Sequence, residues 1–366
     1  MSLILKINLV CWLGLAVGLV STAFAVYCLV KKKTSLAWRL GFILACILAL
    51  ETLVFRNPAF FRVAAQHLDV EDIGWRQARA LIKETPRFKR PCPTPLLAVG
   101  SSQTGAIYIP YAAADPNLVI FTLSGMGPLD LVLYEDLIRR HAPGTIILTL
   151  SDFDIGREPS LAGAKLAPPQ PPQKLAHICA LLLRTREIPW SDVQDFVAAN
   201  LLSAYRYQYI FKGYLNKWSG RNRAFPESDV TAITDEQYLA AHLESLTELD
   251  DRWFGVNLSL LDEFLAWAHA NRMAIMVTGG HYHPRALAQN RDLHEQALEA
   301  LATLCAKYDN VTYVRSEQLY AFSEADYRDG YHLRSEAGLA LARRVIESIP
   351  PARPVEPVPS HATVMP

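Results

Sequence analysis

The chain has 366 residues with 36 basic and 36 acidic side chains, so its formal net charge at pH 7 is zero. A balanced charge removes the electrostatic argument for a nucleic-acid partner. Apolar residues make up 51% of the chain, and much of the excess lies in the first 55 residues. The remainder is long enough for one large domain with a substantial core.

The N-terminal region contains two apolar segments, residues 7–30 and 36–55, joined by a loop that contains Lys31–Lys33. Each segment can cross a hydrocarbon layer of roughly 30 Å as a helix. We therefore predict a membrane anchor over 1–56 that is a hairpin of two transmembrane helices.

The positive-inside rule places Lys31–Lys33 in the cytoplasm, and therefore places the domain after residue 56 outside it. A signal peptide cleaved at Ala23-Phe24-Ala25 is an alternative. The apolar run continues beyond that site, however, and the basic cluster follows it instead of preceding it. We expect an integral membrane protein with an extracytoplasmic domain.

Residues 57–95 form a juxtamembrane connector, and after them the chain alternates between apolar runs and helical patterns. This alternation predicts an α/β domain over 96–349 with a parallel sheet between helices. A less regular stretch at about 155–250 is interpreted as a helical insertion. The proline-rich tail, 350–366, is predicted to be disordered. The predicted strands are 96–99, 118–123, 145–150, 274–278 and 311–314, and the predicted helices include 129–141, 258–270, 285–308 and 339–349.

The first strand runs directly into Gly100-Ser101-Ser102. Glycine permits a tight turn there, and the turn leaves Ser102 at the carboxyl end of a strand, where open α/β sheets bind their ligands. Serine is a weak nucleophile and needs a base that is oriented by an acid. An ordinary turn serine that caps the next helix is the alternative.

The candidate base and acid are His332 and Asp329, in Asp329-Gly330-Tyr331-His332 just before the last helix. On a helical turn, residues three apart lie on neighbouring faces. One turn would then present His332 to Ser102 and keep Asp329 on the other imidazole nitrogen. A cap at the entry of the last helix is the alternative interpretation.

These motifs resemble the SGNH (GDSL-like) hydrolase superfamily, which implies a flavodoxin-type parallel sheet and a Ser102, His332, Asp329 triad. The resemblance implies backbone N–H groups of Ser102 and Gly125 in the oxyanion hole. The third block of that family is Gly-x-Asn-Asp, whereas this chain has Ser151-Asp152-Phe153-Asp154 and lacks the asparagine. Ser151 is a candidate to replace the asparagine as a donor in the oxyanion hole.

With its membrane anchor, the chain looks like the anchored SGNH-like proteins of cell-envelope acylation. Examples are the teichoic-acid D-alanyl transfer protein and the alginate O-acetylation proteins. The likeness implies a protein of the bacterial inner (cytoplasmic) membrane with a periplasmic catalytic domain. It also implies a membrane-bound O-acyltransferase as partner and a glycan or lipid-linked acceptor. The expected chemistry is transfer of an acyl group, such as acetyl, through an acyl-serine, without a cofactor or a metal.

Three further polar residues, Asp152, His281 and His283, follow strands and are candidates for substrate contact at the same edge. A metal cluster that also includes Asp154 is the alternative. Two alternative functions stay open at this stage. The first is a plain esterase, since water can replace the acceptor hydroxyl, and the second is a non-catalytic subunit of an envelope-assembly complex, which the missing asparagine favours.

Overall fold

The computed structural model describes residues 95–350 except 124, 142, 165–166, 168–169, 185–186, 207–235, 238 and 241–248, together with positions 27, 42, 43, 45, 46 and 49. Apart from those six isolated positions, the predicted hairpin lies outside the described residues, as do nearly all of the connector and nearly all of the proline-rich tail. Within the part of the chain that is described, no helix is long and apolar enough to cross a membrane.

The chain divides into two compact units. One comprises Met1–Lys89 and Leu161–Val230, and the other comprises Arg90–Ser160 and Thr231–Pro366. The predicted insertion therefore does not coincide with a unit, because its two ends belong to the second one. The sheet and all the candidate site residues belong to this second unit.

Five parallel strands form the sheet, in the order β2-β1-β3-β4-β5. All five predicted strands are confirmed, with shifts of at most one residue at their ends. The strands are β1 (Leu96–Gly100), β2 (Leu118–Thr122), β3 (Thr145–Leu150), β4 (Ala274–Gly279) and β5 (Val311–Arg315).

The central strands are apolar because helices cover the sheet. Leu97, Ala98 and Val99 of β1 have no exposed surface, and every residue of β3 is buried. Strands that are buried on both faces read as continuous apolar runs, which is why the sequence identifies them. Full burial of each leucine, isoleucine or valine side chain contributes about 1.5–3 kcal/mol.

Four helices lie in the part of the second unit that ends at Ser160. They are α1 (Ser102–Ala112), α2 (Pro128–Leu133), α3 (Glu135–Arg140) and α4 (Asp152–Ile155). Those of the first unit are α5 (Leu161–Ala164), α6 (Pro172–Arg184), α7 (Trp190–Leu201) and α8 (Ser203–Arg206). The last four are α9 (Phe254–Ala270), α10 (Pro284–Cys305), α11 (Ser316–Leu319) and α12 (Ser335–Glu347). The single helix predicted over 129–141 is wrong, because non-helical torsions at Tyr134 (φ −101°, ψ 8°) divide it into α2 and α3.

Helices α1 and α12 pack closely against each other. A Cβ atom at Gly338 of α12 would lie 2.4 Å from the carbonyl oxygen of Ala106 in α1. Ile107, Leu341 and Val345 are fully buried in the core cluster to which both helices contribute. Glycine at 338 therefore permits a helix–helix approach that a larger residue would obstruct. This approach brings the start of α1 towards the loop that precedes α12.

Candidate active site

The candidate nucleophile, Ser102, is the first residue of α1 and is partly exposed. The turn before it depends on Gly100, which has φ +156° and whose Cβ would lie 2.2 Å from Thr104 Oγ1. The N-cap residue of α1 is Ser101, which makes no side-chain capping hydrogen bond. The hydroxyl of Ser102 is hydrogen-bonded to His332 instead, so the capping alternative for this serine is wrong.

A chain of three side chains runs from this hydroxyl. Ser102 Oγ lies 2.7 Å from His332 Nε2, and His332 Nδ1 lies 2.7 Å from Asp329 Oδ2. The carboxylate and the imidazole are 6% and 7% exposed, whereas the serine is more accessible. The structure thus joins the three residues in the order that nucleophile, base and orienting acid require.

The loop that holds Asp329 and His332 is not helical, which corrects the predicted helical turn. An antiparallel bridge between Tyr327 and Leu333 closes it, and Arg328 N donates to the carbonyl of His332 over 3.0 Å. The Asp329 carboxylate accepts hydrogen bonds from the backbone N–H groups of Tyr331 (3.1 Å) and His332 (2.8 Å). A short acidic side chain can replace helical bonding in this way and hold a tight loop.

This loop also differs from a helix cap, because the N-cap residue of α12 is Arg334. Burial raises the pKa of Asp329, but hydrogen bonds and the charge of His332 outweigh burial and lower the pKa to about 2. The carboxylate is therefore ionised at neutral pH and suited to stabilise an imidazolium.

Gly125 lies at the same edge of the sheet as Ser102. Gly100 pairs with Thr122 in the β1–β2 register, and Leu123 N donates to the carbonyl of Gly100 over 3.2 Å. Gly125 follows three residues after Thr122 and has φ +71°, a left-handed conformation that favours glycine. Its carbonyl accepts a hydrogen bond from Arg157 Nη2.

Ser151, the considered substitute for the missing asparagine, has its donors engaged elsewhere. Its backbone N–H donates to Asp154 Oδ2 over 2.8 Å, and its hydroxyl donates to the same oxygen over 3.1 Å. Ser151 has no exposed surface. The serine therefore serves as the cap of the short helix α4, and we leave it out of the oxyanion hole.

The three candidates for substrate contact have internal contacts. Asp152 is 1% exposed, and its Oδ1 lies 3.1 Å from Nδ1 of His294. His281 is 1% exposed and stacks on Phe322, with ring centroids 4.9 Å apart. His283 is 5% exposed, and its Nδ1 accepts from Arg285 N over 3.2 Å at the start of α10. This burial explains why we do not assign them to substrate.

Burial, together with the charges of the neighbouring His332 and His294, lowers the pKa of His281 to about 3, so this ring is neutral at neutral pH. The four-residue metal cluster does not form, since among the residues that the structure describes no group of three or more histidine, cysteine and acidic side chains is placed to hold a metal ion.

Sequence reasoning missed two residues of this region. His294 lies on α10 and is buried between Asp152 (3.1 Å) and Glu317 (3.7 Å). Burial lowers its pKa, but both carboxylates outweigh this and raise it to about 9. His294 is spaced from Ala297, Leu298 and Leu301 so that all four lie on the buried face of the helix. A histidine on an apolar helical face needs a polar partner, so this spacing is a signal that the sequence contains. The second missed residue, Arg157, has no comparable signal.

Comparison with known proteins adds little. No family model matches the chain, and no curated protein matches it. Among solved structures it is similar to a protein from Streptococcus pneumonia that carries the provisional name platelet activating factor. The identity is 12% and the TM-score 0.36, over 74% of this chain and 92% of the other. A likeness this distant carries no argument about activity.

Proposed function

We propose that this protein is a membrane-anchored serine acyltransferase or esterase of the SGNH type, acting on an ester-linked acyl group through an acyl-serine. The observation that carries the proposal is the pair of 2.7 Å contacts that link Ser102 Oγ to His332 and His332 to Asp329. The strand order of the sheet, which is that of flavodoxin-like folds, also supports it.

In the proposed reaction, Ser102 Oγ attacks the carbonyl carbon of the acyl ester while His332 Nε2 takes the hydroxyl proton. Asp329 holds the Nδ1–H and stabilises the imidazolium. The backbone N–H groups of Ser102 and Gly125 donate to the oxyanion. The imidazolium then gives its proton to the departing alcohol, and the acyl-serine remains.

In the second half of the reaction, a hydroxyl oxygen attacks the carbonyl carbon of the acyl-serine and His332 Nε2 takes its proton. The bond between the acyl group and Ser102 Oγ then breaks, and the imidazolium returns the proton to that oxygen. A glycan or lipid-linked acceptor completes a transfer, whereas water completes a hydrolysis. We propose transfer of acetyl to an extracytoplasmic glycan, with a membrane-bound O-acyltransferase supplying the acyl group. The predicted hairpin would place this chemistry on the periplasmic side of a bacterial inner membrane.

Covalent labelling tests the proposal. A fluorophosphonate probe should label the full-length protein in detergent at Ser102, and Ser102→Ala should abolish the label. Mass spectrometry of the digested protein would locate the modified residue. Absence of label from the wild type, under conditions that label a known SGNH enzyme, would overturn the assignment of Ser102 as nucleophile.

Product analysis separates transfer from hydrolysis. With an acyl donor and a glycan acceptor, mass spectrometry should detect the acylated glycan, and free acid alone would indicate a plain esterase. A reporter fused after Pro350 tests the membrane topology, because a cytoplasmic signal would contradict the hairpin.

A non-catalytic subunit of an envelope-assembly complex is the second candidate function. The observation that favours it is the engagement of both Ser151 donors by Asp154, which leaves the position of the missing asparagine without a donor from Ser151. This candidate predicts no labelling of Ser102 and unchanged assembly in a Ser102→Ala strain.

A further inference from the structure

The proposed oxyanion hole depends on the orientation of Gly125. Without the asparagine, and with Ser151 engaged by Asp154, the donors that remain in the proposal are two backbone N–H groups. That of Ser102 is held by the start of α1. Gly125 lies instead in a turn after β2 and has a left-handed conformation. A glycine there has wide conformational freedom, so its N–H requires an external restraint to keep one direction.

Arg157 restrains the carbonyl side of this glycine. Its Nη2 donates to the carbonyl oxygen of Gly125. A Cβ atom built on Gly125 would lie 3.3 Å from Nη2 and 3.4 Å from Nη1 of the same side chain. The guanidinium therefore lies directly against this glycine, on the side that any other residue would fill with its side chain.

The guanidinium is itself held in position. It lies over the ring of Phe153, with Cζ 4.5 Å from the centroid, and the backbone carbonyl of Arg157 accepts from Asn257 Nδ2 over 2.8 Å. Arg157 also lines a small cleft with Asp130 and Asp154. Burial raises the pKa of both these carboxyl groups to about 6, although the charge of Arg157 opposes that rise.

The same contacts reach the catalytic base. The ring of Phe153 stacks on Tyr331 at 5.2 Å, and the ring of Tyr331 lies 4.2 Å from that of His332. Arg157 is therefore connected to both halves of the site, through a hydrogen bond to the glycine and through a series of ring contacts to the histidine.

We infer that Arg157 is the positioning residue for the oxyanion hole. Its guanidinium holds the Gly125 turn so that the Gly125 N–H faces the oxyanion. The Gly125 N–H matters more here because the third-block asparagine, which would also donate to the oxyanion, is absent. This inference rests on the proposed function. It concerns the transition state, so loss of Arg157 should lower the rate of the chemical step with little change in substrate affinity.

The test compares full-length wild type with Arg157→Met, Arg157→Lys and Arg157→Ala. The methionine keeps side-chain bulk against Phe153 but cannot donate to Gly125. We expect the rate of fluorophosphonate labelling, and kcat for p-nitrophenyl acetate, to fall by about 10- to 100-fold in Arg157→Met, with KM nearly unchanged. Arg157→Lys, which keeps a donor but not the fork, should be intermediate. Added guanidinium chloride should restore part of the rate in Arg157→Ala.

Arg252 provides a matched control, because it also lies over an aromatic ring, that of Trp253 at 5.0 Å, and its side chain is 54% exposed. Arg252→Met should label at the wild-type rate. The inference is overturned if Arg157→Met keeps the wild-type rate at an unchanged melting temperature. It is also overturned if Arg157→Met mainly raises KM, or if guanidinium fails to rescue a folded Arg157→Ala. An unlabelled wild type would instead overturn the proposed function itself, so the two failures are distinguishable.

Discussion

Two short turns at the edge of the sheet share one hydrogen-bond pattern, but the pKa values of their carboxyl groups are shifted in opposite directions. In the turn Asp329–His332, a carboxylate accepts from the backbone N–H and the side chain of a residue three positions later. In the turn Ser151–Asp154, a carboxylate accepts from the N–H and the side chain of a residue three positions earlier. The pKa of Asp329 is about 2, whereas that of Asp154 is about 6.

The difference comes from the surroundings of the two carboxylates. Burial raises both pKa values, but Asp329 faces His332, whose hydrogen bond and charge favour the ionised form. Asp154 is more completely desolvated and bonds to the neutral Ser151. Arg157 opposes the rise in its pKa, while Asp152 adds to it. One turn therefore presents to a histidine a carboxylate that stays ionised to low pH, and the other holds a carboxyl group that takes up a proton more readily as the pH falls. A shared hydrogen-bond pattern does not imply a shared role.

The largest expected effect comes from replacing the carboxylate of Asp329 by an amide, and the same replacement at Asp154 is the comparison. Asp329→Asn should lower kcat by about 10⁴-fold, because an amide no longer selects the imidazole tautomer that accepts the serine proton. Asp154→Asn should cost less than about tenfold, because an amide oxygen still accepts from Ser151. Steady-state hydrolysis of p-nitrophenyl acetate by the two purified variants checks this. Equal losses would show that the two turns do not differ in role.

A smaller effect is expected from moving α12 away from α1. The turn Asp329–His332 precedes α12, whereas the turn Ser151–Asp154 does not adjoin either helix. Gly338→Ala introduces a Cβ 2.4 Å from the carbonyl of Ala106, so α12 must move relative to α1. Because Ser102 begins α1 and His332 lies in the loop just before α12, kcat should fall by about 10- to 100-fold. Unfolding free energy should fall by about 1–3 kcal/mol.

Gly255→Ala is the control for this change. A Cβ at Gly255, near the start of α9, would meet nothing within 4 Å. It should leave kcat unchanged and stabilise the protein by about 0.5–1 kcal/mol, because alanine loses less backbone entropy in a helix. Wild-type kcat in Gly338→Ala would show that the helix contact does not determine the Ser102–His332 distance.

The smallest expected effect is the pH dependence of stability, which should have opposite signs for the two carboxylates. The folded-state pKa of Asp329, about 2, lies below its ordinary 3.8, so its stabilisation is present above pH 3.8 and is lost as the pH falls towards 2. The folded-state pKa of Asp154, about 6, lies above 3.8, so its contribution decreases as the pH rises from 3.8 through 6.

Urea unfolding of wild type, Asp329→Asn and Asp154→Asn across this pH range measures these contributions. The advantage of wild type over Asp329→Asn should grow as the pH rises from about 2 to 4, whereas its advantage over Asp154→Asn should shrink between about 4 and 6. Parallel profiles for both variants would contradict the opposite pKa shifts.

Much of the second unit was predictable from local patterns. The strands were apparent because a covered parallel sheet demands unbroken apolar runs, as in Thr145–Leu150. Ser102, Asp329 and His332 were predicted because strand ends of a parallel sheet converge on one edge and because the two motifs occur at the expected places in the chain. The non-helical form of the loop was not predictable from residue spacing alone, since a spacing of three fits both a helical turn and an Asx-type turn.

The sequence by itself determined which strands are buried and which serine, histidine and acid can act together, because these follow from apolar periodicity and side-chain chemistry. Only the tertiary structure decided that His294 lies between two carboxylates and that Arg157 lies against Gly125. Which donor meets which acceptor depends on distances across the fold, and for Arg157 and Gly125 that contact spans 32 positions in the chain. No local pattern encodes such a distance, because it is set by how the whole unit packs.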